Sequence, residues 1–83
     1  MCHVYILKST VSQQYYVGYT CDDLLARISK HNRPHKGFTG RNQPWLLVYS
    51  EQIQTKQLAL KREQEIKAWK SSVLIEKLIL SVG

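Results

Sequence analysis

The chain has 83 residues, 43% hydrophobic and 22% charged, which fits one small domain over residues 1–83, excludes a second, and excludes an intrinsically disordered chain. Twelve Lys/Arg against six Asp/Glu give a net charge of +6, a balance that points to polyanionic partners.

Residues 3–8 are β-branched and aromatic and read as a strand, and residues 15–20 as a second. The short polar gap between them predicts an antiparallel hairpin. Asp22 and Asp23 are good N-caps for a helix running to about His31. Pro34 and Gly37 end that helix and open a loop through Gln43. Pro44 precedes a third strand over residues 45–49. Thr55 caps a second helix that continues to about Trp69, and Ser71 or Ser72 caps a last short one. The order is β-β-α-β-α-α. It predicts a small α/β (α+β) domain with a three-stranded, mostly antiparallel sheet flanked by helices.

Charge is unevenly spread. Residues 24–50 contain no acid, yet Arg27, Lys30, Arg33, Lys36 and Arg41 all lie there. A one-sign stretch of that length attracts a polyanion such as nucleic acid, although a merely solubilising surface has the same composition. Cys2 and Cys21 form no CxxC pair, and two reduced thiols in a cytoplasmic protein are expected. No apolar run approaches the ~20 residues of a membrane span, and the N-terminus has no charged-then-apolar signal pattern.

On the first helix the apolar stripe is Leu24, Leu25 and Ile28, with Arg27 and His31 one turn apart on its flank. A snorkelling arginine and a histidine satisfied by the last carbonyls would also fit. On the second helix Ala59, Arg62, Glu63, Ile66 and Trp69 share one side, and Lys61, Gln64 and Ala68 the other. Glu63 thus falls at the centre of the inward face, while Glu65 is a surface acid. A carboxylate in that position needs a cation. A salt bridge to Arg27 or Arg62 and a metal ion both answer that need. Tyr16 shares its strand face with Gly18, which predicts open space beside its hydroxyl and makes Tyr16 a site residue and Tyr15 a packing one. Phe38 and Trp45 flank the basic loop and read as anchors. His31 and His35 are separated by Pro34 and form no i,i+4 zinc pair.

Taken together, these residues resemble the GIY-YIG endonuclease superfamily, and within it the small single-domain bacterial subgroup (UPF0213-like). The resemblance runs from about residue 3 to residue 70. His3-Val4-Tyr5 stands for the first motif, with histidine in place of the leading glycine, and Tyr16-Val17-Gly18 for the second. Arg27 and His31 match the family's helix positions, and Ala59 to Lys67 its glutamate helix. The resemblance implies a DNA endonuclease that hydrolyses phosphodiester bonds with one divalent cation, Mg²⁺ or Mn²⁺. Glu63 would hold the metal, Tyr16 would activate or position the attacking water, and Tyr5 would shape the pocket. Arg27 would neutralise transition-state charge, and His31 would assist proton transfer or contact phosphate. A free tyrosine titrates near ~10, so a tyrosine base needs a neighbouring cation. Lys30, Arg33, Lys36 and Arg41 would bind the nucleic acid. The alternative is a non-catalytic nucleic-acid-binding module on the same scaffold. Repair, mobile-element and phage-defence roles all fit these residues, as does a protein partner that selects the target.

Overall fold

A computed structural model describes residues 1–33 and 38–81, with backbone alone at 38 and 39. Its elements are β1 (Cys2–Ser9), β2 (Tyr15–Thr20), α1 (Leu24–His31), α2 (Phe38–Arg41), β3 (Trp45–Ile53), α3 (Lys56–Ala68) and α4 (Ser72–Leu80). The strands form one sheet in the order β2-β1-β3, antiparallel throughout. This is the expected fold, with one addition: α2 falls inside the stretch expected to be a loop. A helix of about one turn is too short to show a 3.6-residue period.

β1 is the central strand and is buried along most of its length. That explains why its sequence is apolar almost continuously rather than in alternation. Val4 and Ile6 face one layer, where Val17, Ala59 and Ile66 complete a core that α4 joins through Ile75 and Ile79. Tyr5 and Leu7 face the other layer with Trp45, and Tyr16, Leu24 and Ile28 pack against them. Leu25 was expected in this apolar stripe but is 71% exposed. The short α1 turns only Leu24 and Ile28 toward the sheet.

β3 continues four residues past the expected end, because Ser50 to Ile53 pair with the first half of β1. Their polar character suits an edge strand. The register slips between Ile6 and Leu7, which pair with Tyr49 and Leu47 and leave Val48 unmatched. The long helix is capped as expected, with Thr55 accepting from the Leu58 amide. Ala59 and Ile66 are buried and Arg62, Glu63 and Trp69 half-buried, as the wheel requires. Ser71 caps α4.

The cysteines are a correction. Cys2 and Cys21 form a disulfide rather than two free thiols. The hairpin register accounts for it. His3 pairs with Thr20, so one step further along the ladder Cys2 stands opposite Cys21. Among the described residues, no helix is long and apolar enough to cross a membrane.

Candidate active site

Tyr5 sits on the central strand and is 1% exposed. Its ladder partners are Gly18 on β2 and Ser50 on β3, both small. A Cβ placed on Gly18 would meet the Tyr5 hydroxyl oxygen at 2.6 Å and Cζ at 2.7 Å. The position directly over Gly18 is thus taken by the end of the Tyr5 phenol, with the ring of Tyr16 3.1 Å from the same Cβ, while the open cavity beside them is lined by both Tyr16 and Gly18.

The Tyr5 hydroxyl lies 2.8 Å from His31 Nε2. Burial pushes the Tyr5 phenol above its ordinary range, while the nearby Arg27 guanidinium pulls it partly back. Which group donates in the Tyr5–His31 bond follows the tautomer of His31. The imidazole is thus engaged by the central strand. Its ring also packs against Tyr16, with centroids 4.9 Å apart, and Tyr16 in turn lies 6.2 Å from Trp45.

α1 is held at both ends. Asp23 accepts from the Ala26 amide at the start. At the other end Asn32 clamps Trp45, accepting from its amide at 2.7 Å and donating to its carbonyl at 3.1 Å. Gln43 donates to the His31 carbonyl at 2.8 Å. The buried Trp45 thus anchors the helix end that carries His31, in line with its expected role.

Glu63 reaches the site from α3 with its side chain 12% exposed. Its cation is neither Arg27 nor Arg62. Lys67 Nζ lies 3.3 Å from Glu63 Oε1. Arg62 turns the other way, to Glu51 at 2.9 Å and to Glu65. One turn separates Glu63 from Lys67 on the helix, so the pair is a local one that the wheel contains.

Four elements thus bring Tyr5, Tyr16, Arg27 and Glu63 to the wall of one open cavity of about 440 Å³. Asp22 and Lys56 also line it, and the sequence reading missed both. The one sign available for them was position: each adjoins a helix-capping residue, Asp23 or Thr55. Lys30, Arg33 and Arg41 are exposed and are not among the residues lining this cavity. Lys36 lies outside the described residues.

The family model of the GIY-YIG catalytic domain matches residues 1–77. The chain belongs to the GIY-YIG family. UPF0213 proteins of Staphylococcus aureus strains Mu50, N315 and USA300 are each 45% identical to it over 67 residues, covering 80% of this chain and 79% of theirs. No solved structure gives a significant match to it. In this GIY-YIG chain the two tyrosine strings are neighbouring strands, and Tyr5 of the first pairs with Gly18 of the second. His3, in place of the first string's glycine, pairs with Thr20 and Gln52. Its buried Nδ1 has no hydrogen-bond partner among the described residues.

Among the described residues, no three His, Cys, Asp or Glu side chains cluster closely enough to hold a metal ion by themselves. The donor that fits one is Glu63. It is a nearly buried carboxylate on the cavity wall that already draws an ammonium to itself. A single hard oxygen donor, with water and a phosphate oxygen for the rest, matches what Mg²⁺ accepts.

Proposed function

We propose that this GIY-YIG protein is a DNA endonuclease that hydrolyses phosphodiester bonds with one divalent cation. The observation that carries this reading is the meeting of Tyr5, Tyr16, Arg27 and Glu63 at one open cavity, with His31 bonded to Tyr5 behind it. Glu63 would hold Mg²⁺ or Mn²⁺. When bound, the cation supplies Lewis-acid stabilisation of the phosphate and leaving oxygens.

Each side chain then has a definite task. Tyr5 remains a phenol at neutral pH, because burial holds its proton. It serves as a fixed strut between Arg27 and His31 rather than as a base. Tyr16 is only half-buried and borders the cavity, so its hydroxyl orients the attacking water. Water attacks phosphorus as the bond to the leaving oxygen breaks; the proton the water loses passes to solvent in the open cavity, and solvent returns one to the leaving oxygen. The negative charge that builds on the phosphoryl oxygens faces Arg27, whose exposed guanidinium lines the cavity. His31, bonded to the Tyr5 hydroxyl, fixes that phenol at the cavity wall.

DNA is the polyanion that the exposed Lys30, Arg33 and Arg41 suit, together with Lys36 by sequence. Such contacts predict binding that weakens steeply with salt.

The test is a cleavage panel. Purified protein is incubated with plasmid, single-stranded and branched DNA, each with Mg²⁺, Mn²⁺ or EDTA. Metal-dependent cutting of at least one substrate is expected. Salt-sensitive binding that EDTA leaves unchanged, without cutting of any substrate, would overturn the reading in favour of a non-catalytic binding module.

A further inference from the structure

Lys67 has no part in the chemistry above, yet it touches two groups that do. Its ammonium lies 3.3 Å from Glu63 Oε1 and 5.8 Å from the centroid of the Tyr16 ring. The first contact lies within α3, and the second crosses to β2. An ordinary Glu–Lys pair one turn apart lies wholly on a helix surface and contributes little. This one differs in both respects. Its carboxylate is only 12% exposed, and its cation also sits over a ring of another element. Arg62, the neighbouring cation on the same face, is committed to Glu51 and Glu65 and cannot substitute.

We infer that Lys67 is a positioning residue that doubles as an internal counter-ion, holding Glu63 and the Tyr16 ring together and competing with a divalent cation for the Glu63 carboxylate. This rests on the reading of Glu63 as the cation ligand. Three physical points carry it. A buried-side carboxylate without a cation is costly, so some positive charge accompanies Glu63 in either state. Lysine presents a point charge on a flexible stem, which can leave the carboxylate without moving the helix. Its side chain is 50% exposed, so the released ammonium has solvent to enter. A divalent ion held at Glu63 Oε1 would meet the Lys67 ammonium there and displace it, and the same motion would free the face of Tyr16. Lys67 lowers the affinity for the ion and couples ion binding to the environment of Tyr16.

The experiment measures Mn²⁺ affinity by calorimetry and by Mn²⁺ paramagnetic resonance on the whole chain, without DNA. Lys67→Met should bind Mn²⁺ about three- to tenfold more tightly than the wild type, the effect of removing one competing ion pair. Lys67→Gln should do the same, and Lys67→Arg, which keeps the charge, should stay at the wild-type affinity. In the wild type the Tyr16 ring resonances should shift as a diamagnetic surrogate, Mg²⁺, is added, and in Lys67→Met that shift should shrink. Unchanged or weaker Mn²⁺ binding in both Lys67→Met and Lys67→Gln, with binding still lost in Glu63→Gln, would overturn the role of Lys67 alone. Mn²⁺ binding that survives Glu63→Gln, or that is absent from the wild type, would overturn the metal reading of Glu63 and this inference with it.

Discussion

The Tyr5 hydroxyl occupies the space that a side chain on Gly18 would need, 2.6 Å from where its Cβ would stand. The contact joins the tyrosine of one strand to the glycine of its neighbour and sets the height of the phenol above the sheet. Gly18→Ala forces the ring out of that position. The buried end of Tyr5 has little freedom, so the cost is that of overpacking, about 1–3 kcal/mol. Urea unfolding should register that loss. The same variant should lose cleavage by more than its stability loss explains, because the bond to His31 is displaced.

Tyr5→Phe removes the hydroxyl that is bonded to His31 and lies near Arg27. At pH 7 it should lower stability by about 1–2 kcal/mol. The pH dependence has a definite sign. The folded state binds the Tyr5 proton more tightly than the unfolded chain does, chiefly because the phenol is buried. Its contribution is therefore complete below the ordinary tyrosine value of ~10 and is lost as pH rises from there through the raised folded value. Tyr15 and Tyr49 are shifted the same way, by burial and by Glu76 and Glu51 respectively. Stability measured between pH 8 and 12 should fall for the wild type and fall less steeply for Tyr5→Phe. An identical slope would contradict the buried-phenol description.

Asn32 makes both hydrogen bonds that tie the end of α1 to Trp45. Asn32→Ala leaves the Trp45 amide without that acceptor, which should cost about 1–3 kcal/mol in urea unfolding. Asn32→Asp keeps an acceptor and should cost less. Cleavage should fall in the same order, since His31 is the preceding residue.

The Cys2–Cys21 disulfide closes a loop with a sequence separation of 19. The chain-entropy model assigns such a loop about 3 kcal/mol. Cys2→Ser should lose roughly that amount. Dithiothreitol should lower the wild type by a similar amount and leave the variant unchanged. Equal stability of the wild type with and without reductant would contradict a structural role for the bond.

Much of this was readable from residues alone, for reasons that differ by element. The two tyrosine strings, the caps Asp23, Thr55 and Ser71, and the Ala59–Ile66 stripe are local signals, and local signals survive folding. Tyr5, Tyr16, Arg27 and Glu63 were expected to belong together, and they line one cavity. What escaped was set by tertiary partners. Leu25 looks apolar enough for the core, but α1 is too short to bury three leucine-class positions. Gly18 suggested open space beside Tyr16, which the cavity provides, yet the phenol directly over the glycine is set by the pairing with Tyr5. Glu63 pairs with Lys67, one turn along its own helix, rather than with an arginine. The cysteine pair depends on the hairpin register, which places Cys2 opposite Cys21 and which strand propensities leave unset.

The most direct measurement is metal-dependent cleavage by wild type and Glu63→Gln, run beside a binding assay on the same DNA. Glu63 lines the cavity and is paired with Lys67 on its own helix, so the amide should preserve the fold and the basic surface. Cutting should be abolished in Glu63→Gln at every Mg²⁺ and Mn²⁺ concentration while DNA binding stays near the wild-type level. Cutting that persists in Glu63→Gln, or binding that disappears together with it, would contradict the assignment of Glu63 as the residue that holds the catalytic cation.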